Sequence, residues 1–118
     1  MLRKHVISFR VALNGFIHAT QTQPNFRIHL TLSTLAVILG ILLKLSSVEW
    51  VLLVFTIALG LAIELINTAI ESTVDLITDQ WHMSAKIAKD TSAAAMLLYA
   101  VSAVIIAAFL FLPKLIIL

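Results

Sequence analysis

An all-α membrane protein, made of an N-terminal amphipathic surface helix and three transmembrane helices, is the fold class this sequence predicts. Three observations predict it. Apolar residues make up 61% of the 118 and charged residues only 12%, with a mean hydropathy of +1.07, whereas soluble domains are roughly half apolar and a quarter charged. The apolar residues gather in three runs, each near the ~20 residues that cross a bilayer as a helix. Outside those runs, Lys and Arg are shared unevenly between the two ends of the spans.

The elements follow in chain order. At helical spacing over residues 1–20, Leu2, Val6, Phe9, Leu13, Phe16 and Ile17 fall on one side and Arg3, Arg10 and Asn14 on another, the pattern of a helix lying in the membrane interface. Asn14 and His18 interrupt the apolar stretch behind Arg3 and Lys4, and no small-residue cleavage site follows, which argues against a secretory signal peptide. Thr22 to Asn25 contains Pro24 and no apolar residue, so it reads as the turn into the membrane. Spans are expected at about 28–43, 48–66 and 93–112, the first being short at about 16 residues. Arg27 and Lys44 bound the first, with side chains long enough to reach the interface. Ser46 and Ser47 form a turn, Trp50 marks the interfacial end of the second span, and Pro113 and Lys114 end the third. With no repeat, low-complexity tract or linker, residues 1–118 read as one domain.

Orientation comes from the basic residues. Arg3, Lys4, Arg10, Arg27, Lys86 and Lys89 lie on one side and only Lys44 and Lys114 on the other, which places the N-terminus and the segment around Thr73 to Thr91 in the cytoplasm. Eight basic residues scattered over the chain form no patch for nucleic acid. The absence of cysteine excludes disulfides, thiolate nucleophiles and cysteine metal sites. Three spans leave too little chain for a separate soluble catalytic domain, so any active site must sit on the helices.

Five of the six acidic residues, Glu64, Glu71, Asp75, Asp79 and Asp90, lie within 27 positions that begin inside the second span. At about 100° per residue, Asn67, Thr68, Glu71 and Asp75 all fall within about 60° of Glu64 on one helix face. A carboxylate in the hydrocarbon region is costly unless it is paired, metal-bound or reached by water, which makes Glu64 a functional candidate by default. The structural alternative is an ion pair of Glu64 and Glu71 with Lys86 or Lys89. For Asn67 and Thr68 it is interhelical hydrogen bonding. For Trp81 and His82 it is interfacial anchoring, and for Asp75 and Asp79 an ordinary solvated face.

A buried carboxylate, a second one about 10 Å along the helix toward the cytoplasm, and Lys86-x-x-Lys89-Asp90 together suit phosphoryl transfer. Glu64 can accept a proton from a lipid hydroxyl that stays in the membrane, Glu71 can hold Mg²⁺ on the phosphates of ATP, and Lys89 can neutralise the γ-phosphate. Only Gly15, Gly40 and Gly60 are present, so neither common glycine-rich phosphate loop exists and the nucleotide site must be built differently. Two other classes compete: a small proton- or cation-conducting subunit lined by the carboxylates, and an inert subunit that binds partner helices through Gly60, Ser92, Ala93 and Ala94. The first expects polar residues through the whole bilayer, yet Trp50 to Ile63 offers only Thr56. The second leaves Glu64 without a purpose.

The run Glu64-Leu-Ile-Asn67-Thr68-Ala69-Ile70-Glu71-x-x-x-Asp75, followed by Ala88-Lys89-Asp90, resembles the signature of the prokaryotic diacylglycerol kinase and undecaprenol kinase family. The likeness covers essentially the whole chain, and Asn25-Phe26-Arg27-Ile28-His29 with Asn67-Thr68-Ala69-Ile70-Glu71 is closer to the undecaprenol-preferring branch. The resemblance implies an integral enzyme of the prokaryotic inner membrane. It also implies a homotrimer with active sites shared between protomers, ATP as donor, Mg²⁺ as cofactor, and a membrane lipid alcohol as acceptor. It implies that Glu64 is the catalytic base and also meets the acceptor, that Asn67 lines the catalytic pocket, and that Glu71 binds the metal. Lys89 and Asp90 become a nucleotide-binding pair, Gln80 to His82 the turn that meets the nucleoside, and Lys4 a basic contact to the nucleotide. A second metal-binding glutamate of the family corresponds to Gln23, whose neutral amide is a weaker ligand for Mg²⁺ than a carboxylate.

Overall fold

A computed structural model describes residues 2–117, and the side chains of residues 4–117. Met1 and Leu118 lie outside the described residues, as do the side chains of Leu2 and Arg3 that the sequence assigns to opposite sides of the first helix. The described residues form four helices: α1 (Leu2–Thr22), α2 (Pro24–Leu42), α3 (Ser47–Ile77) and α4 (Met83–Ile116). The last three are each long and apolar enough to cross a membrane.

The junctions correct several expected boundaries. The turn expected over Thr22–Asn25 shrinks to Gln23, because Pro24 is itself the first residue of α2, where a missing N–H costs nothing and the fixed φ already suits a helix. Lys44, at φ 54°, turns the chain sharply after α2. Ser46 then caps α3: its N–H donates to Glu49 Oε2 at 2.7 Å and its hydroxyl accepts from the Glu49 N–H at 3.4 Å, a reciprocal capping box. Ser47, expected in the turn, is already helical.

The expected second span ends at about residue 66, and α3 carries on beyond it without a break to Ile77. At about 1.5 Å per residue its 31 residues measure about 46 Å, well beyond a ~30 Å hydrocarbon core. The change of composition after Glu64 thus marks a change of solvent along one helix rather than its end. Only Thr78–His82 links α3 to α4. Pro113, expected to end the third span, lies inside α4, which runs on to Ile116. Proline there removes a single donor one turn from the end, and the Lys114 ammonium fastens that turn to Glu49 across 3.1 Å.

The small core lies at the end of the bundle near Lys44 and Lys114. Leu45, Leu53, Leu110 and Phe111 are buried there, with Leu39 and Trp50 packed against them. At the other end Phe26 is fully buried, its ring edge-on to Phe16 of α1 with centroids 5.0 Å apart. The radius of gyration, 17.5 Å, exceeds the about 13 Å typical of a compact chain of this length. Long apolar side chains such as Leu98, Val104 and Phe109 stand exposed, and the helices satisfy their own backbone groups as lipid requires.

Candidate functional site

The carboxylate stripe lies on one uninterrupted helix, α3, and its residues differ sharply in environment. Glu64 is 1% exposed, and its Oε2 atom is buried with no hydrogen-bond partner among the described residues. One turn on, Thr68 is buried and donates back to the Glu64 backbone carbonyl at 2.9 Å, so its hydroxyl is satisfied within the helix. A buried carboxylate oxygen left without a donor is costly and calls for an explanation.

Asn67 joins the stripe to α4. Its side-chain carbonyl accepts from Ser92 Oγ at 2.5 Å, and its amide donates to Glu71 Oε1 at 3.3 Å. One carboxylate oxygen of the half-buried Glu71 is therefore oriented by a neutral amide. Among the described residues neither Glu64 nor Glu71 forms an ion pair. The lysines that the structural alternative assigned to them are engaged elsewhere: Lys86 with Asp90 on its own helix, and Lys89 with Asp75 across 2.6 Å. Within the stripe only Asp75, at its outer end, meets a lysine, and Glu64 and Glu71 are left without one among the described residues.

Where α3 emerges toward the loop, a groove of about 290 Å³ opens between the end of α3 and the start of α4. Asp75, Asp79, Gln80, Trp81, His82, Lys86, Lys89 and Asp90 line it, so four residues of the expected nucleotide set, Gln80, His82, Lys89 and Asp90, come together. The five-residue link allows this, since it folds the first turns of α4 back beside the last turns of α3. His82 caps α4, its Nδ1 accepting the Ser84 N–H at 3.1 Å, which leaves only the other ring nitrogen available to a ligand. Lys4 on α1 is exposed, and Gln23 donates to Thr22 Oγ1 at 3.2 Å. Neither lines the groove.

No cluster of three or more His, Asp or Glu among the described residues could hold a metal ion alone. Mg²⁺ does not require one, because it keeps several waters and is commonly held by one or two carboxylates together with substrate phosphates. Glu71, half-buried and without a cation partner, fits that role, and Asn67 holds its orientation.

Three features were not anticipated from the sequence. His29 of α2 stands against Tyr99 of α4, ring centroids 6.0 Å apart. Tyr99 of α4 crosses to α3, where its hydroxyl donates to the Thr56 carbonyl at 2.8 Å. An apolar cavity of about 330 Å³ between α2, α3 and α4 is lined by His29, Ser33, Thr56 and Tyr99 among many aliphatic side chains. The lone polar residues on otherwise apolar helices, Tyr99 and Thr56, were the available signal.

The chain matches the family model described as prokaryotic diacylglycerol kinase over residues 10–111. It is 42% identical over 114 residues to an undecaprenol kinase of Bacillus subtilis (strain 168), covering 97% of this chain and 93% of that protein. It is 44% identical over 111 residues to a diacylglycerol kinase of Synechocystis sp., covering 93% of this chain and 63% of the relative. To the diacylglycerol kinase of Escherichia coli (strain K12) it is 37% identical over 71 residues, 60% of this chain and 58% of that one.

Proposed function

This chain belongs to the prokaryotic diacylglycerol kinase family and is a membrane lipid kinase using ATP, and on that premise we propose that Glu64 is the general base that activates the lipid hydroxyl. The observation that carries the proposal is the buried, unpartnered Oε2 of Glu64 on a spanning helix, an acceptor atom that a lipid hydroxyl would satisfy. The carboxylate takes the hydroxyl proton as the lipid oxygen attacks the γ-phosphorus. The phosphorus–oxygen bond to ADP breaks, and the lipid leaves as its phosphate. In such loose transition states positioning and charge stabilisation do most of the work.

The remaining roles follow the arrangement of side chains. Asn67, fixed by Ser92, lines the catalytic pocket and orients Glu71. Glu71 would hold Mg²⁺, with Gln23 in the position of a second, weaker ligand, and the ion would supply charge compensation on the phosphates. Lys89 meets the γ-phosphate. Asp90, with the groove residues Gln80 and His82, meets the nucleoside side of ATP, and Lys4 adds a basic contact. That Lys4 and Gln23 stand apart from the groove fits a homotrimer in which active sites are shared, α1 of one protomer serving a neighbour. The open helical layer and its exposed apolar faces suit the same assembly, with α1 lying in the interface and the N-terminus in the cytoplasm.

Undecaprenol is the favoured acceptor and diacylglycerol the second. Similarity to the Bacillus undecaprenol kinase extends over nearly the full length of both chains, and the apolar cavity beside His29 and Tyr99 offers room for an isoprenoid or acyl chain. Incubating the purified protein with labelled ATP and a panel of membrane alcohols tests this directly. A labelled undecaprenyl phosphate, formed faster than phosphatidate, is the expected product. Preference for the diglyceride would overturn the choice of acceptor.

A further inference from the structure

We propose that Asp75 is a positioning residue for the phosphate-binding lysine, holding the Lys89 ammonium on the carboxylate face of α3 where the nucleotide's phosphates are to be met. The inference rests on the assignment of Lys89 above. Asp75 ends the stripe on α3 and Lys89 lies on α4, yet Lys89 Nζ donates to Asp75 Oδ1 at 2.6 Å across the groove. The side chains remain 42% and 63% exposed, and ion pairs this open to solvent contribute little to stability. The effect of the contact lies in where it holds the ammonium.

A lysine has a flexible four-carbon stem and gives up much rotamer freedom when its end is fixed. Asp75 is one helical turn beyond Glu71 and on the same face, so a lysine tied to it is held on the side of α3 that carries that glutamate. An ammonium has three donors; one spent on Asp75 leaves two for phosphate oxygens. Lys86 cannot substitute, because Asp90 engages it within α4. Lys89 is thus the lysine carried across to α3, and both members of its pair line the groove.

Steady-state kinetics of the full chain in lipid bicelles, comparing Asp75→Asn, Lys89→Met and the double variant, tests the proposal. Asp75→Asn is expected to raise the KM for MgATP about threefold to tenfold, in the range of coupling between contacting residues, and to leave the KM for the lipid unchanged. In the Lys89→Met background the same substitution should add nothing. An unchanged KM in Asp75→Asn, a lowered one, or an equal loss in the Lys89→Met background overturns the inference. If Lys89→Met alone leaves the KM for MgATP at its wild-type value, the assignment of Lys89 itself fails, an outcome distinct from the failure of Asp75 alone.

Discussion

Gly60 of α3 lies directly beneath the phenol of Tyr99 on α4, so close that a methyl group at position 60 has no room. The same Tyr99 hydroxyl donates to the Thr56 carbonyl at 2.8 Å, and the ring stands against His29 with centroids 6.0 Å apart. Through these contacts α2, α3 and α4 meet at Tyr99. Gly60→Ala forces the ring or a helix to move. It is expected to destabilise the protein by about 1–3 kcal/mol, the usual cost of overpacking, read as a lower midpoint of thermal unfolding in detergent. Tyr99→Phe, which keeps the ring and loses the hydrogen bond, should cost only about 0.5–1.5 kcal/mol.

Removing the Glu71 carboxylate should damage metal use before anything else. Glu71→Ala is expected to raise the Mg²⁺ concentration for half-maximal activity and to weaken MgATP binding, since no other carboxylate of the stripe is both half-buried and uncommitted to a lysine. Gln23→Glu makes the complementary measurement: a restored carboxylate should lower the Mg²⁺ requirement. An unchanged metal titration in both variants would place the ion elsewhere.

Membrane orientation can be read by labelling, because the chain contains no cysteine. Ser84→Cys should resist an impermeant thiol reagent in intact cells and react once they are opened, whereas Leu115→Cys should do the reverse. Labelling of position 84 from outside would turn the groove away from cytoplasmic ATP.

Much of this architecture was legible because a bilayer tolerates few alternatives. Three apolar runs announce three spanning helices, and helical periodicity alone puts Glu64, Asn67, Glu71 and Asp75 on one face. Helix ends were harder. Polar residues after Glu64 mimic a terminus, although they only record α3 leaving the apolar phase, and Pro24 and Pro113 both sit where a helix accepts proline. Contacts between helices were not legible at all. Whether Lys89 meets Glu71 or Asp75, whether Ser92 reaches Asn67, and whether Tyr99 crosses Gly60 depend on the register set by the Thr78–His82 link, which no periodicity encodes. The groove proposed for the nucleotide was half legible: Gln80, His82, Lys89 and Asp90 share it because a short link brings them together, while Lys4 and Gln23 do not line it.

The role of Glu64 as base is tested most directly by measuring phosphoryl transfer and MgATP affinity together in Glu64→Gln. The amide keeps the shape of the side chain and cannot accept the proton, so kcat should fall by about 10²- to 10⁴-fold, the range for a lost general base. Affinity for MgATP should be unchanged, because the groove proposed for the nucleotide lies farther along α3. Thermal stability should hold or rise, since a neutral amide is cheaper to bury than a carboxylate. Wild-type turnover in Glu64→Gln would contradict the assignment of the base, and a loss of MgATP binding equal to the loss of rate would move Glu64 from the acceptor to the nucleotide.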